Sequence, residues 1–277
     1  MSDIKDTNPE NYVQIQKIEH APNTIVVASF NMERLGQYHK DYNALADIVK
    51  QFDLVGCIEV VNPDGVKELV DAMGDPKWKY YVSKENTGTQ HYKEYFAYIW
   101  DSTKIDFIIA LGFYNDTNNE FARDPFGCMF RAGKLDFTFV ILHIVFGKNM
   151  KDREAEISHL DEVYKYFEIR AKGDRDIIIA GDFNDGNSKD FSKLEEDDNI
   201  VDVVPQGEKT TIGQKGLASN YDHIFVSKYT KGDFVVANED DYVKSDNFIY
   251  DKKNVSDHVP VYFVLKTDSD EDKTEIK

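Results

Sequence analysis

The 277-residue sequence has only two cysteines, Cys57 and Cys128. Two are too few for a disulfide scaffold, and no CxxC or zinc-type Cys/His spacing exists. Both lie in apolar runs, LVGCIEVV and FGCMF, which predicts buried free thiols. Long apolar runs are missing too. None approaches the ~20 residues of a membrane-spanning helix, so no membrane partner is expected. The opening MSDIKDTNPENYVQ lacks the apolar segment of a secretory signal. That predicts a cytoplasmic protein, or a secreted one whose leader has been removed. Basic charge is scarce: 33 Lys and Arg stand against 51 Asp and Glu, a net charge of −18. This excludes the simplest nucleic-acid binder, a basic module held by general attraction to phosphate. It does not exclude a nuclease, because a metal ion brings positive charge into one cleft of an acidic protein.

What the chain does have is enough apolar residue, 41%, to bury a full core. Residues 1–23 are polar and aperiodic and are expected to form a loose arm. Residues 267–277 carry five acids and two lysines, an acidic solvated tail. Between them, residues 24–266 show no linker and are expected to form one domain. TIVVASF (24–30), LVGCIEVV (54–61) and DIIIAGDF (176–183) are β-branched runs that predict buried strands. Further strand-like runs lie at 78–83, 95–100, 105–113, 126–131, 136–146, 222–227 and 258–265. Helical spacing of apolar residues predicts helices over 41–52 and 152–169. A third helix opens at Asn62-Pro63, since Pro suits the first helical position. The Glu195–Asp198 run reads as a solvated loop. Helices alternate with strands in each half while hairpins sit at the middle and end. This predicts a layered α/β domain of two sheets with outer helices.

Polar residues interrupt the ends of these strands: Asn31, Glu59, His143, Asp182 with Asn184, Asp222, and Asp257 with His258. A carboxylate or imidazole beside a buried strand costs free energy unless it is paired or bound to an ion. Their recurrence predicts that the strand ends converge on one site, where layered α/β folds bind ligands. The oxygen-bearing members suit a hard cation, Mg²⁺ with Mn²⁺ or Ca²⁺ as substitutes, rather than zinc. Two imidazoles add groups that titrate near neutral pH. Together these types fit metal-assisted hydrolysis of a phosphate ester. Each residue also has a plainer explanation. Asn31 could cap a turn, Asp182 and Asn184 could shape one, Glu94 and Arg123 could be surface charges, and Arg123 could pair with Asp124. Glu59 is the hardest to explain so, because it sits inside an apolar run. His20, His39, His91 and His159 have no matching motif and read as surface residues. His223 is expected to face away from Asp222, as neighbours on a strand do.

Eight pieces, in order, carry a resemblance: SFNMERLG (29–36), CIEVV (57–61), YKEYFAYIW (92–100), ARDP (122–125), ILH (141–143), GDFN (181–184), YDHIFVS (221–227) and SDHVPV (256–261). The set resembles the endonuclease/exonuclease/phosphatase superfamily, and within it the deoxyribonuclease I-like branch. The resemblance implies a four-layer α/β sandwich, two mixed β-sheets face to face with helices outside. It implies Glu59 and Asn31 at a metal, with Asp257 completing or adjoining it, and His143 and His258 flanking the scissile phosphate. Glu94 would orient His143, and Asp222 would orient His258. Asp182 and Asn184 would position the attacking water or hold a second metal. Arg123 would contact a phosphate through its planar fork, and Tyr92 would pack in the minor groove of DNA.

A groove-reading Arg of that branch is replaced here by Val61. A phosphate-contacting Arg is replaced by Glu33, with Arg34 next door. Both changes remove positive charge, which implies little sequence preference. Lys84, Lys93, Lys148 and Lys151 are candidate phosphate contacts. The expected function is therefore a divalent-metal-dependent endonuclease acting on double-stranded DNA. The alternatives are a phosphatase or phosphodiesterase on a small-molecule or lipid phosphate ester, and a non-catalytic binding relative. FIIALGFYND (107–116), the one candidate for a membrane-docking hairpin, reads as a core strand pair.

Overall fold

The computed structural model describes residues 18, 20–37, 39–187, 189–197, 200–213, 216–228, 230 and 254–270. In chain order the elements are β1 (Thr24–Leu35), α1 (Tyr42–Val49), β2 (Leu54–Val60), α2 (Pro63–Met73), β3 (Trp78–Val82), β4 (Thr87–Gly88), β5 (Lys93–Asp101) and β6 (Ile105–Phe113). There follow β7 (Phe126–Ala132), β8 (Leu135–His143), α3 (Met150–Ile157), α4 (Leu160–Arg170), β9 (Ile177–Asp182) and α5 (Ser192–Asp197). The chain closes with β10 (Ile200–Asp202), β11 (Ile212–Gly213), β12 (Gly216–Leu217), β13 (Asp222–Ser227) and β14 (Val261–Lys266).

The described residues form two six-stranded sheets and the small β11–β12 pair. One runs β14-β1-β2-β5-β3, with β4 on β5, and the other runs β10-β13-β9-β8-β7-β6. Each holds one parallel pair, β1 with β2 and β8 with β9, joined through helices; the other pairs are antiparallel. Three apolar clusters define the layers. Phe96, Tyr98, Phe130, Phe137 and Phe139 pack between the sheets. Leu45, Ile48, Val49, Val66 and Leu69 bury the faces of α1 and α2 on the first sheet. Leu160, Val163 and Phe167 of α4 cover the second. The expected four-layer sandwich is the observed one. Cys57 and Cys128 are buried and free, as their apolar runs imply. Among the described residues no helix is long and apolar enough to cross a membrane.

Several boundaries differ from expectation. The single helix expected over 152–169 is two. Ser158 ends α3, its hydroxyl donating to Ala155 O at 2.7 Å instead of letting the helix run on. β8 stops at His143 rather than 146, and the chain leaves the sheet there. Residues 107–113 belong to one edge strand, β6, and 114–116 leave it, so the run is not a strand pair, and Ile109 is exposed. The strand expected from His258 starts at Val261. Pro260 cannot donate to a ladder, so His258 makes one isolated bridge, to Thr211. Glu195–Asp197 ends a helix rather than forming a loop.

At the ends, residues 1–17 of the expected arm and 271–277 of the expected tail lie outside the described residues. The arm's inner end is attached: Ile18 packs on the first sheet's core and His20 bonds Asp53 at 2.9 Å. Thr267, the expected first tail residue, is buried and bonds the Asn23 and Lys134 backbones.

Candidate active site

The cleft is built where strands of both sheets end. β1 does not stop before Asn31, as its apolar run suggests, but continues to Leu35 through an irregularity. Glu33 and Arg34 there have positive φ, 42° and 57°. Arg34 thereby reaches the cleft wall, although Glu33 stands two positions after Asn31. β2 breaks register with β5 between Cys57 and Val60, and Glu59 inside that break has φ 59°. Bulges re-aim side chains beside active sites, and strain of this kind persists only where the surroundings enforce it. On the second sheet, His143 and Asp182 are register partners across β8 and β9, and Asp182 pairs with Asp222 of β13. Gly181 permits this approach, since a Cβ there would clash with Leu142 O.

These ends enclose a cleft of about 460 Å³ that Glu59, Tyr92, His143, Asp182, Asp257 and His258 all line. Asp182 lies at its centre. Its Oδ2 is 3.7 Å from His143 Nε2 and 3.5 Å from His258 Nε2. Each imidazole is backed by a buried carboxylate. His143 Nδ1 meets Glu94 at 3.0 and 3.1 Å, and His258 Nδ1 meets Asp222 Oδ2 at 2.7 Å. The array therefore reads Glu94–His143–Asp182–His258–Asp222, two carboxylate–imidazole pairs facing one carboxylate. Burial works against charge on the His258 ring, but Asp222 and Asp182 outweigh it and raise its pKa to about 10. His143 is also buried, and Glu94 likewise carries it above its ordinary value, against Arg123.

Asn31 ties the two sheets together. Its Nδ2 donates to Glu59 Oε1 at 3.1 Å and to Asp182 Oδ2 at 3.0 Å. Its oxygen accepts from the Glu33 N–H. Placed so, Asn31 turns its amide nitrogen toward both carboxylates. Tyr92 donates to Glu59 Oε2 at 3.0 Å, and its ring lies beside Arg34 and Arg123. Its hydroxyl thus holds Glu59 while the side chain lines the cleft. Burial and the nearby Glu94 and Glu59 push its hydroxyl well above the usual range. Asn184 shapes the turn that follows Asp182 and lines the cleft. Its N–H caps Asp182 Oδ1 at 2.8 Å with φ 52°, and its Nδ2 holds Ile144 O.

Arg123 differs from expectation. It is buried, and its Nε and Nη2 donate to His143 O and Ile144 O, both at 2.8 Å. One edge of the fork is therefore spent on backbone rather than on Asp124, while the side chain lines the cleft. Arg123 braces the His143 loop and lies 3.8 Å from Glu94. His223 faces away, as expected, held by Asp202 at 2.7 Å and Asp185 O at 3.0 Å. His39 and His91 are exposed, whereas His159 is half-buried against Glu120 and Glu162.

Three supports escaped the sequence. Ser256 donates to Asn31 O at 2.6 Å and accepts the His258 N–H at 3.0 Å, fastening the last motif to the first. Lys40 is buried, donates to Val255 O at 2.9 Å and lies 3.6 Å from Glu33. Buried Glu156 accepts from Ala122 and Val145 N–H. The only signal for Ser256 was its place in SDH; Lys40 and Glu156 carried none.

The donor set fits a hard cation. Among the described residues neither Glu59 nor Asp182 has a Lys or Arg within 4.0 Å; the cationic groups facing them are the His143 and His258 imidazoles. Ligating atoms of Asp182, Asp222 and His258 also lie within 4.8 Å of one another, although Asp222 and His258 already satisfy each other. Glu59 and Asp182 with Asp257 nearby are the better oxygen donors.

The model of the endonuclease/exonuclease/phosphatase family matches residues 28–258. The chain belongs to that family. Its members are generally dependent on divalent metal, and membership makes this chain a hydrolase of the nuclease and phosphodiesterase type. A deoxyribonuclease of Thioalkalivibrio is 29% identical over 262 residues, covering 87% of this chain and 70% of that protein. Deoxyribonuclease-1 of Bos taurus is 28% identical over 178 residues, 58% of this chain and 61% of its own length. A family protein of Bacteroides thetaiotaomicron shares the fold with a TM-score of 0.60 at 18% identity, covering 88% of this chain and 98% of that one.

Proposed function

We propose that the chain cleaves phosphodiester bonds in DNA, with a divalent cation and little sequence preference. The observation that carries this is Asp182 facing two carboxylate-backed imidazoles in one cleft, with Glu59 beside them. The deoxyribonuclease names of its relatives support DNA as the substrate. A bound Mg²⁺ would be held by Glu59 and Asp182, with Asp257 nearby, and would neutralise charge on the phosphoryl oxygens. The chain's own groups divide the proton work. Carboxylate-backed imidazoles that keep their protons donate from Nε2, to a phosphoryl oxygen or to the leaving oxygen. Asp182, which faces both Nε2 atoms, is then the acceptor for the proton of the attacking water. Glu94 and Asp222 fix the tautomer and orientation of the rings they back.

One observation favours a second reading. Thr211, Ile212, Gly213 and Ala218, at the β11–β12 pair, wall one side of the cleft and would suit a small phosphate ester. One experiment separates the two. Supercoiled plasmid is incubated with Mg²⁺, with and without EDTA, beside a panel of phosphomonoesters. Nicking that EDTA abolishes is the expected result. Phosphate release with the plasmid intact in Mg²⁺, in Mn²⁺ and in Mg²⁺ plus Ca²⁺ would replace the nuclease by a phosphatase.

A further inference from the structure

Phe146 lines the same cleft, three residues beyond His143, yet 57% of it is exposed. An apolar ring left in water gains the fold little. It is not exposed because its loop is loose. Ile144 N–H donates to Asp182 O, and Ile144 O accepts from both Arg123 and Asn184. Val145 N–H is held by buried Glu156. Gly147 turns with φ 65°, and Asp152 Oδ2 accepts the Lys148 N–H at 2.7 Å. Arg153 fixes the ring itself. Its Nε donates to Phe146 O at 2.8 Å, and its guanidinium lies 4.2 Å from the ring centroid. The loop thus holds an aromatic ring at the wall of the cleft, with the Arg153 guanidinium against one of its faces.

On the reading that the cleft cleaves DNA, we infer that Phe146 is a stacking platform for one nucleobase next to the scissile phosphate. Ring faces recognise bases without regard to sequence, and protein grooves for single strands pair such faces with cationic backbone contacts. Exposed Lys148 and Lys151 follow on the same segment and can meet the neighbouring phosphates. A duplex covers both faces of its bases. The platform therefore serves a single strand, a frayed end or a gap, and departs from the expectation of a purely double-stranded substrate.

The test compares kcat/KM of the wild type with Phe146→Ala, Phe146→Leu and Phe146→Trp. The substrates are a single-stranded oligodeoxynucleotide, the same strand with its central nucleotides abasic, and the duplex. Phe146→Ala should lose about 5- to 150-fold on the ordinary strand, the range for removing one stacking aromatic. Its loss on the abasic strand, and on the duplex, should be at least about fivefold smaller. Phe146→Trp should keep the preference, and Phe146→Leu should lose it, showing that the face and not the apolar volume matters. Equal losses on ordinary and abasic strands, or a Leu variant that behaves as wild type, would overturn the platform. A wild type that cleaves none of these DNAs with Mg²⁺ or Mn²⁺ would instead sink the nuclease reading, and the platform with it.

Discussion

Asp222 touches the reaction only through His258, so Asp222→Asn isolates what that carboxylate does. The substitution keeps the side-chain shape and removes one charge. In the native protein Asp222 Oδ2 sits 2.7 Å from His258 Nδ1, fully out of solvent. A carboxylate and an imidazolium about 4 Å apart, centre to centre, interact by about 4 kcal/mol at an effective dielectric constant of 20. Partial replacement by the amide dipole reduces the loss to about 2–4 kcal/mol, or about 30- to 1,000-fold in rate. We expect kcat for plasmid nicking to fall by that factor. KM for DNA should stay within about threefold, since a fully buried group makes no ground-state contact with substrate. With the Asp222 charge gone, the His258 pKa drops from about 10 toward its ordinary value. The basic limb of the pH–rate profile should therefore move to lower pH. Adding Asp222→Asn to His258→Ala should cost almost nothing more, because the two act as one unit. A kcat for Asp222→Asn within about threefold of wild type, or a double variant whose loss is the product of the two single losses, would refute the reasoning.

Other outcomes follow from neighbouring contacts. Glu59→Gln removes a charge from the cation's donor set, and the Mg²⁺ concentration for half-maximal nicking should rise at least about tenfold. Ser256→Ala leaves Asn31 O and His258 N–H buried without their shared hydroxyl. Urea unfolding should show about 2 kcal/mol less stability, and kcat should fall as His258 loosens. Asp202→Asn tests a pair outside the site. His223 is buried, which alone would lower its pKa, but Asp202 raises it above the ordinary value. A raised pKa gives stability that is fully present below about pH 6.5 and lost as pH climbs through the folded value. The variant should therefore be about 3 kcal/mol less stable at pH 6 and much closer to wild type in alkaline solution. A difference that grows with pH would contradict the pairing.

The parts of the site that the sequence disclosed are those whose chemistry conflicts with their local pattern. Glu59 interrupts an apolar strand, and Asp182 and Asn184 close another, so a cost without a visible partner pointed to an ion or a partner far along the chain. The layers were legible for the same reason, since β-branched runs and helical spacing alternate cleanly. What stayed hidden depends on contacts between distant segments. Arg123 reads as a surface cation until its bonds to the His143 and Ile144 carbonyls are seen. Ser256 and Lys40 act on backbone carbonyls more than 200 positions away in sequence. The positive φ values at Glu33, Arg34 and Glu59 are likewise imposed by the sheets rather than chosen by residue type, and no glycine marks them. The break between α3 and α4 was missed because apolar spacing continues through Ser158 and His159, which have no strong helix-breaking chemistry of their own.

Anomalous diffraction from crystals soaked in Mn²⁺ tests the central claim most directly. The account predicts one strong peak about 2.1 Å from carboxylate oxygens of Glu59 or Asp182, in the cleft between the two imidazoles. A peak confined to the surface group Glu120, His159 and Glu162, with none in the cleft, would contradict it.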